Sequence, residues 1–130
     1  GQLTREALDT GFSHAPVLLA DVPVNHRIAQ EEVFGPILSA MPFRDEEHAI
    51  ELANATKFGL VAGVWTRDGS RQFRMANRVK SGQIFINNYG AGGGVELPFG
   101  GFKSSGFGRE KGFEALLGFT TLKTVAVRHG

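Results

Sequence analysis

The chain has no cysteine among its 130 residues, which excludes a disulfide framework, a thiolate metal site and a cysteine nucleophile within it. It has almost no net charge. Fourteen Lys and Arg oppose 13 Asp and Glu for a formal +1, so no global field recruits nucleic acid or an anionic membrane, and any anion site must be local. Long apolar runs are also missing: Phe58 to Trp65 spans eight residues and includes two glycines, against roughly 20 for a bilayer crossing. The four histidines, His14, His26, His48 and His129, never approach metal-ligand spacing, and no HExxH pair occurs. No serine occupies a GxSxG frame; the nearest, Ser104 and Ser105, sit in a glycine loop. The chain opens at Gly1 with neither methionine nor a signal or basic presequence, so the expectation is a segment processed or excised from something longer.

What is present is the composition of a packed domain. Hydrophobic residues at 42% and charged residues at 21% exclude a disordered tail or a collagen-like fibre, and the length suits one domain. Val17 to Ala20, between Pro16 and Pro23, gives one short strand. From Ile37 the pattern sharpens. ILSAMPF follows Pro36 and closes at Pro42 as a strand. Asp45 caps a helix over Glu46 to Thr56, with Glu46 and Glu47 in the first turn and Ala49, Ile50, Leu52 and Ala53 as its apolar stripe. Leu60 to Thr66 is a buried strand. Ser70 caps a second helix through Val79, with Phe73, Ala76 and Val79 or Lys80 inward and Arg71, Arg74 and Arg78 outward. Gln83 to Asn87 is the next strand. The order β, α, β, α, β predicts parallel crossovers and an open α/β sheet.

Eleven of the 18 glycines lie between Gly82 and Gly118, which predicts a shaped loop. Within it GFGREKG, Gly106 to Gly112, has the spacing GxGxxxG and follows a loop. Its glycines are therefore expected to permit tight turns before a short helix from Arg109 and not to form a dinucleotide fingerprint. GGFKSSG lacks the gap of a Walker loop. Arg71, Arg74 and Arg78 share a helical face that a solvated role explains better than a phosphate ridge. Glu31 and Glu32 are adjacent and point apart, which argues against a shared-proton dyad. The tail TLKTVAV, Thr121 to Val127, alternates as a strand with no later partner and must pair elsewhere.

Five segments, EEVFGP (31–36), FGLVAGVWTRD (58–68), SGQIFINN (81–88), LPFGGFKSSGFGRE (97–110) and the tail TLKTVAVRHG, together resemble the aldehyde dehydrogenase superfamily, in the family's order and over nearly the whole chain from Gly11. The resemblance implies the C-terminal part of the catalytic domain, an open, mainly parallel α/β sheet with flanking helices, plus a terminal oligomerisation strand. Residues 1–119 would be the catalytic portion, including a glycine-rich substrate-entrance loop at 89–108, and residues 120–130 the strand. It further implies an NAD- or NADP-dependent oxidoreductase that turns an aldehyde into the carboxylic acid by cysteine thiohemiacetal formation, hydride transfer and thioester hydrolysis. The nucleophilic cysteine and the general-base glutamate of such enzymes would lie upstream, so no residue here is catalytic and the segment alone is expected to be inactive.

Carried over residue by residue, Glu32 matches the carboxylate that accepts hydrogen bonds from the nicotinamide ribose. Phe34 and Leu60 match neighbours of the nicotinamide. Phe99 matches an aromatic at the substrate end, and Tyr89 opens the variable loop over the substrate entrance. The partners implied are an aldehyde and further copies of the chain, as a dimer or tetramer through the C-terminal strand, with no metal, nucleic acid or membrane. A cytoplasmic location is implied. Two alternatives stand beside this reading: a non-catalytic oligomerisation or interaction module of the same fold, and a phosphate-binding glycine-loop protein.

Overall fold

The chain divides between Thr56 and Lys57 into two units, and the computed structural model describes residues 12–90 and 93–130. In the first unit the prolines act as punctuation. Pro16 precedes strand β1 (Val17–Leu19) and Pro36 precedes β2 (Ile37–Ser39). The two pair in parallel, Val17 opposite Ile37 through Leu19 opposite Ser39. Flanking backbone bonds extend the ladder: Val17 N–H donates to Pro36 O at 2.9 Å and Ala40 N–H to Leu19 O at 2.8 Å. Between the strands lies a single helical turn, α1 (Arg27–Gln30), whose first free amide, that of Ile28, donates to His26 Nδ1 at 3.2 Å. Its four residues have no apolar stripe, and they fall in the stretch where no pattern was legible.

Helix α2 (Glu46–Asn54) forms where its cap and carboxylates place it. Asp45 accepts from His48 N–H at 2.8 Å, and the His48 ring returns the favour by accepting from Arg44 N–H at 3.2 Å. One orphan amide of the first turn, that of His48, and the amide just before the cap are thus satisfied by side chains. Ile50 is the buried anchor of its apolar face, at 5% exposure.

In the second unit β3 (Val61–Val64) and β4 (Gln83–Ile86) are again parallel, Val61 opposite Gln83 through Val64 opposite Ile86. Helix α3 (Gly69–Arg78) is the crossover. The α/β class and parallel pairing follow the pattern, but the ladders are two separate pairs, β1–β2 and β3–β4. The connection from β2 through α2 leads into the second pair without adding a strand to the first. Beyond Asn87 a loop returns over β3 and β4, a 3₁₀ turn spans Lys103–Ser105, and a last helical turn, α4 (Ala115–Gly118), follows.

Three expectations are corrected. The cap of α3 is Asp68, accepting from Arg71 N–H at 3.0 Å, and Ser70 lies inside the helix. Phe73 faces out at 72% exposure, because the inward stripe runs through Gln72, Met75, Ala76 and Val79; one position off that stripe rotates a side chain by about 100°. No helix starts at Arg109: Glu110 instead pairs antiparallel with Phe99. Thr121 to Val127 has no ladder partner among the described residues.

Among the described residues the buried apolar side chains are Val22 and Ile50 in the first unit and Val64, Val79 and Ala115 in the second, and none described is wholly enclosed. No helix among the described residues is long and apolar enough to cross a membrane.

Candidate functional site

Two adjacent glutamates in the first unit meet different fates. Glu31 lies four residues after Arg27 along the α1 turn, and its carboxylate takes the Arg27 Nε–H at 2.7 Å, the (i, i+4) geometry that helical spacing dictates. Glu32, one residue later, has left the helix. Its side chain is exposed and has no hydrogen-bond or ion-pair partner among the described residues. Together with Glu31 it lines an open concavity of about 340 Å³, with Val33, Phe34, Ile37 and Ser39, within the size range of small-molecule clefts.

Phe34 reaches that concavity at a cost. Its φ is 56°, a left-handed conformation worth roughly 1–3 kcal/mol of strain in a residue with a Cβ, and its ring is 92% exposed. The strain is local, since the turn must reverse the chain between α1 and β2; Ile37 N–H bonds back to Gly35 O at 2.8 Å to close it. The result is a carboxylate with two unclaimed oxygens and an aromatic face on one rim.

The second unit brings Leu60 and Phe99 together. They line a concavity of about 350 Å³ with Gly100, Gly101, Ser105, Phe107, Arg109 and Glu110. What joins residues 39 positions apart is a seam of backbone. The Gly59 carbonyl accepts from Gly82 N–H at 3.0 Å and from Phe102 N–H at 2.9 Å, and Ser104 N–H donates to Lys57 O at 2.9 Å. Glycines make the approach feasible, since a Cβ at Gly82 would stand 1.6 Å from the Gly100 oxygen. Gln83 Nε2–H donates to Pro98 O at 2.9 Å, tying the loop to the start of β4. Phe99 and Glu110 exchange both backbone bonds, at 2.7 and 2.8 Å, and the Lys111 ammonium lies 5.4 Å from the Phe99 ring centre. Arg109 Nη1 donates to the Gly101 and Gly108 carbonyls at 3.2 and 2.6 Å while its guanidinium covers Phe102 at 5.2 Å.

Tyr89 stands apart from that concavity on an exposed turn, 74% accessible, with its amide donating to Asn88 Oδ1 at 2.7 Å. The structure thus pairs Glu32 with Phe34 and Leu60 with Phe99, each pair within its own unit. Ser105, Arg109 and Glu110 join the second pair without a role read from sequence; their signal was membership of the segment 97–110. Asn87 is another residue that periodicity overlooks. At φ 51° it leaves β4, and its side-chain amide brackets Thr66, accepting from the N–H at 2.8 Å and donating to the carbonyl at 2.9 Å. It extends the β3–β4 ladder by one rung with a side chain. Among the described residues no group of three or more acidic or histidine side chains could hold a metal.

Comparison with known proteins is consistent across sequence and structure. A family model described as "Aldehyde dehydrogenase family" matches residues 1–125. The NADP/NAD-dependent aldehyde dehydrogenase PuuC of Escherichia coli is 46% identical over 127 residues, covering 96% of this chain and 26% of that protein. A Burkholderia cenocepacia protein described as a candidate aldehyde dehydrogenase has a crystal structure that superposes with a TM-score of 0.90 at 68% identity, over 100% of this chain and 27% of that one. The Mycobacterium tuberculosis aldehyde dehydrogenase solved with NAD+ superposes with a TM-score of 0.87 at 41% identity, over 98% and 26%. The chain spans about a quarter of the length of the relatives it matches.

Proposed function

Because the chain belongs to the aldehyde dehydrogenase family, we propose that its residues serve as the C-terminal quarter of an NAD- or NADP-dependent enzyme that oxidises an aldehyde to the carboxylic acid. The observation that carries this reading is the different pairing of two glutamates that line one open concavity: Glu31 is ion-paired to Arg27, whereas Glu32, beside Phe34, has no partner among the described residues. An ionised carboxylate is all acceptor and has two oxygens, so it suits two vicinal hydroxyls such as those of a ribose. Glu32 therefore grips the sugar of the nicotinamide half of the cofactor, and Phe34 restricts where the attached ring can lie. When bound, the cofactor supplies the two-electron acceptor. The chain's own residues bind and orient it.

Leu60 and Phe99 give the apolar wall at the reacting end, Leu60 toward the ring and Phe99 toward the aldehyde, and Tyr89 opens the loop at the entrance. Glycine at 90, 92, 93 and 94 leaves little side-chain bulk at that mouth. The sequence holds no cysteine, so the thiol nucleophile comes from residues outside it, as does the general base that the family resemblance implies upstream, and the 130-residue chain by itself does not turn over aldehyde. The tail, with Leu122, Val125 and Val127 largely exposed, supplies a strand to a neighbouring subunit in a dimer or tetramer.

The test is Glu32→Gln in the complete enzyme. It keeps size and removes charge; losing one charge-assisted hydrogen bond lowers turnover by roughly 10- to 100-fold, while the reactive thiol still alkylates at its normal rate. Unchanged turnover removes the role given to Glu32. Aldehyde oxidation by the 130-residue chain alone removes the segment reading.

A further inference from the structure

We propose that Ser105 is a positioning residue that fixes the gap between Leu60 and Phe99 and so tunes which aldehydes are accepted; this rests on the reading of that concavity as the reacting end of the pocket. Ser105 Oγ accepts from the Gly59 amide at 3.0 Å across 46 positions of sequence. Gly59 immediately precedes Leu60, so the hydroxyl fixes the peptide from which that wall residue projects. The same serine is seated on the opposite wall. A Cβ at Gly101, two residues after Phe99, would lie 2.4 Å from the Ser105 Cβ, which means that Ser105 sits flush against the backbone carrying Phe99. One side chain therefore touches the supports of both walls, and it lines the concavity itself.

The neighbouring links make the role separable from simple docking of the loop. Phe102 N–H to Gly59 O and Ser104 N–H to Lys57 O, both 2.9 Å, are backbone bonds that persist when the residue at 105 changes. Removing the hydroxyl leaves the loop attached but deprives the Gly59 amide of its acceptor. A half-buried N–H without a partner turns toward water, and Leu60 turns with it. The gate so loosened is steric, made of a leucine and a phenylalanine, so its effect depends on the girth of the aldehyde.

The experiment compares kcat/KM for a two-carbon and an aromatic aldehyde in the complete enzyme carrying Ser105→Ala, with amide hydrogen exchange followed at Gly59. The ratio of the two kcat/KM values shifts by about fivefold and Gly59 exchanges about fivefold faster, the scale of one hydrogen bond; Ser105→Thr, which keeps the acceptor, restores the ratio. Equal loss for both aldehydes, or an unchanged ratio, overturns the proposal. If Ser105→Ala does not fold, Ser105→Cys, a weaker acceptor at the same place, carries the test with the same two outcomes. Leu60→Ala and Phe99→Ala separate the two layers of inference. If neither moves the ratio, the pocket reading fails; if both move it and Ser105→Ala does not, only the positioning role fails.

Discussion

A methyl group added at Gly82 would sit 1.6 Å from the Gly100 carbonyl oxygen and 2.7 Å from its carbon, while one added at Gly63 would meet only the Trp65 indole nitrogen at 3.8 Å. The same substitution should therefore give opposite results at two neighbouring places. Gly82→Ala forces backbone apart and is expected to destabilise by about 3 kcal/mol or more, whereas Gly63→Ala in β3 is close to neutral; thermal midpoints of the two variants in the complete enzyme check this. The glutamates show the same dependence on place. Nothing in the types of residues 31 and 32 separates them; the separation comes from α1, a single turn too short to leave a periodic trace, which sets Glu31 opposite Arg27. The role proposed for Glu32 rests on the motif EEVFGP, and the left-handed Phe34 could not be read from sequence at all, since aromatic residues rarely adopt that conformation.

The regular elements were legible where a cap and an apolar pattern agreed, and less so where two caps competed. Helix α2 begins at the residue its cap implies and ends two short of the expected Thr56, at Asn54. Around α3 both Asp68 and Ser70 can cap. The chain selects Asp68 because Thr66 holds it from behind: the Asp68 N–H donates to Thr66 Oγ1 at 3.2 Å, and Gln72 Nε2–H donates to Thr66 O at 3.0 Å. The Arg71 backbone N–H, with Arg71 and Arg74 charges nearby, holds the Asp68 carboxyl below its ordinary value of 3.8. A carboxyl lowered in the folded state contributes stability that is fully present above its unfolded value and is lost as pH falls through the folded one. Its contribution is thus present and constant near neutral pH, and its loss belongs to the acid limb below about pH 4. Asp68→Asn, which keeps a capping oxygen but not the charge, should lower the neutral midpoint slightly and flatten that limb by the same amount, leaving the acid midpoint nearly in place; thermal scans from about pH 7 to about pH 3 measure both, and an unaltered acid limb would refute the assignment.

At the scale of the molecule the notable quantity is exposed area. Large apolar side chains are exposed in both units. Phe107, Phe113, Phe119 and Leu122 are each at least 80% exposed, and burying such side chains yields about 25 cal/mol per Å². An isolated 130-residue chain is therefore expected to self-associate at micromolar concentration. Light scattering behind size exclusion should report species heavier than a monomer, and a monodisperse monomer would contradict it. Sequence could show the apolar content but not its exposure, because periodicity assigns a face to a helix or strand without saying whether the polypeptide that covers it is present.

The Gly59 carbonyl, which receives amides from both Gly82 and Phe102, has a practical meaning for chimeras. A graft that exchanged only residues 97–110 between relatives would import donors shaped for a different acceptor. Residues 57–60 and 80–83 have to travel with that loop, so the smallest exchangeable cassette here is three pieces of chain and not one.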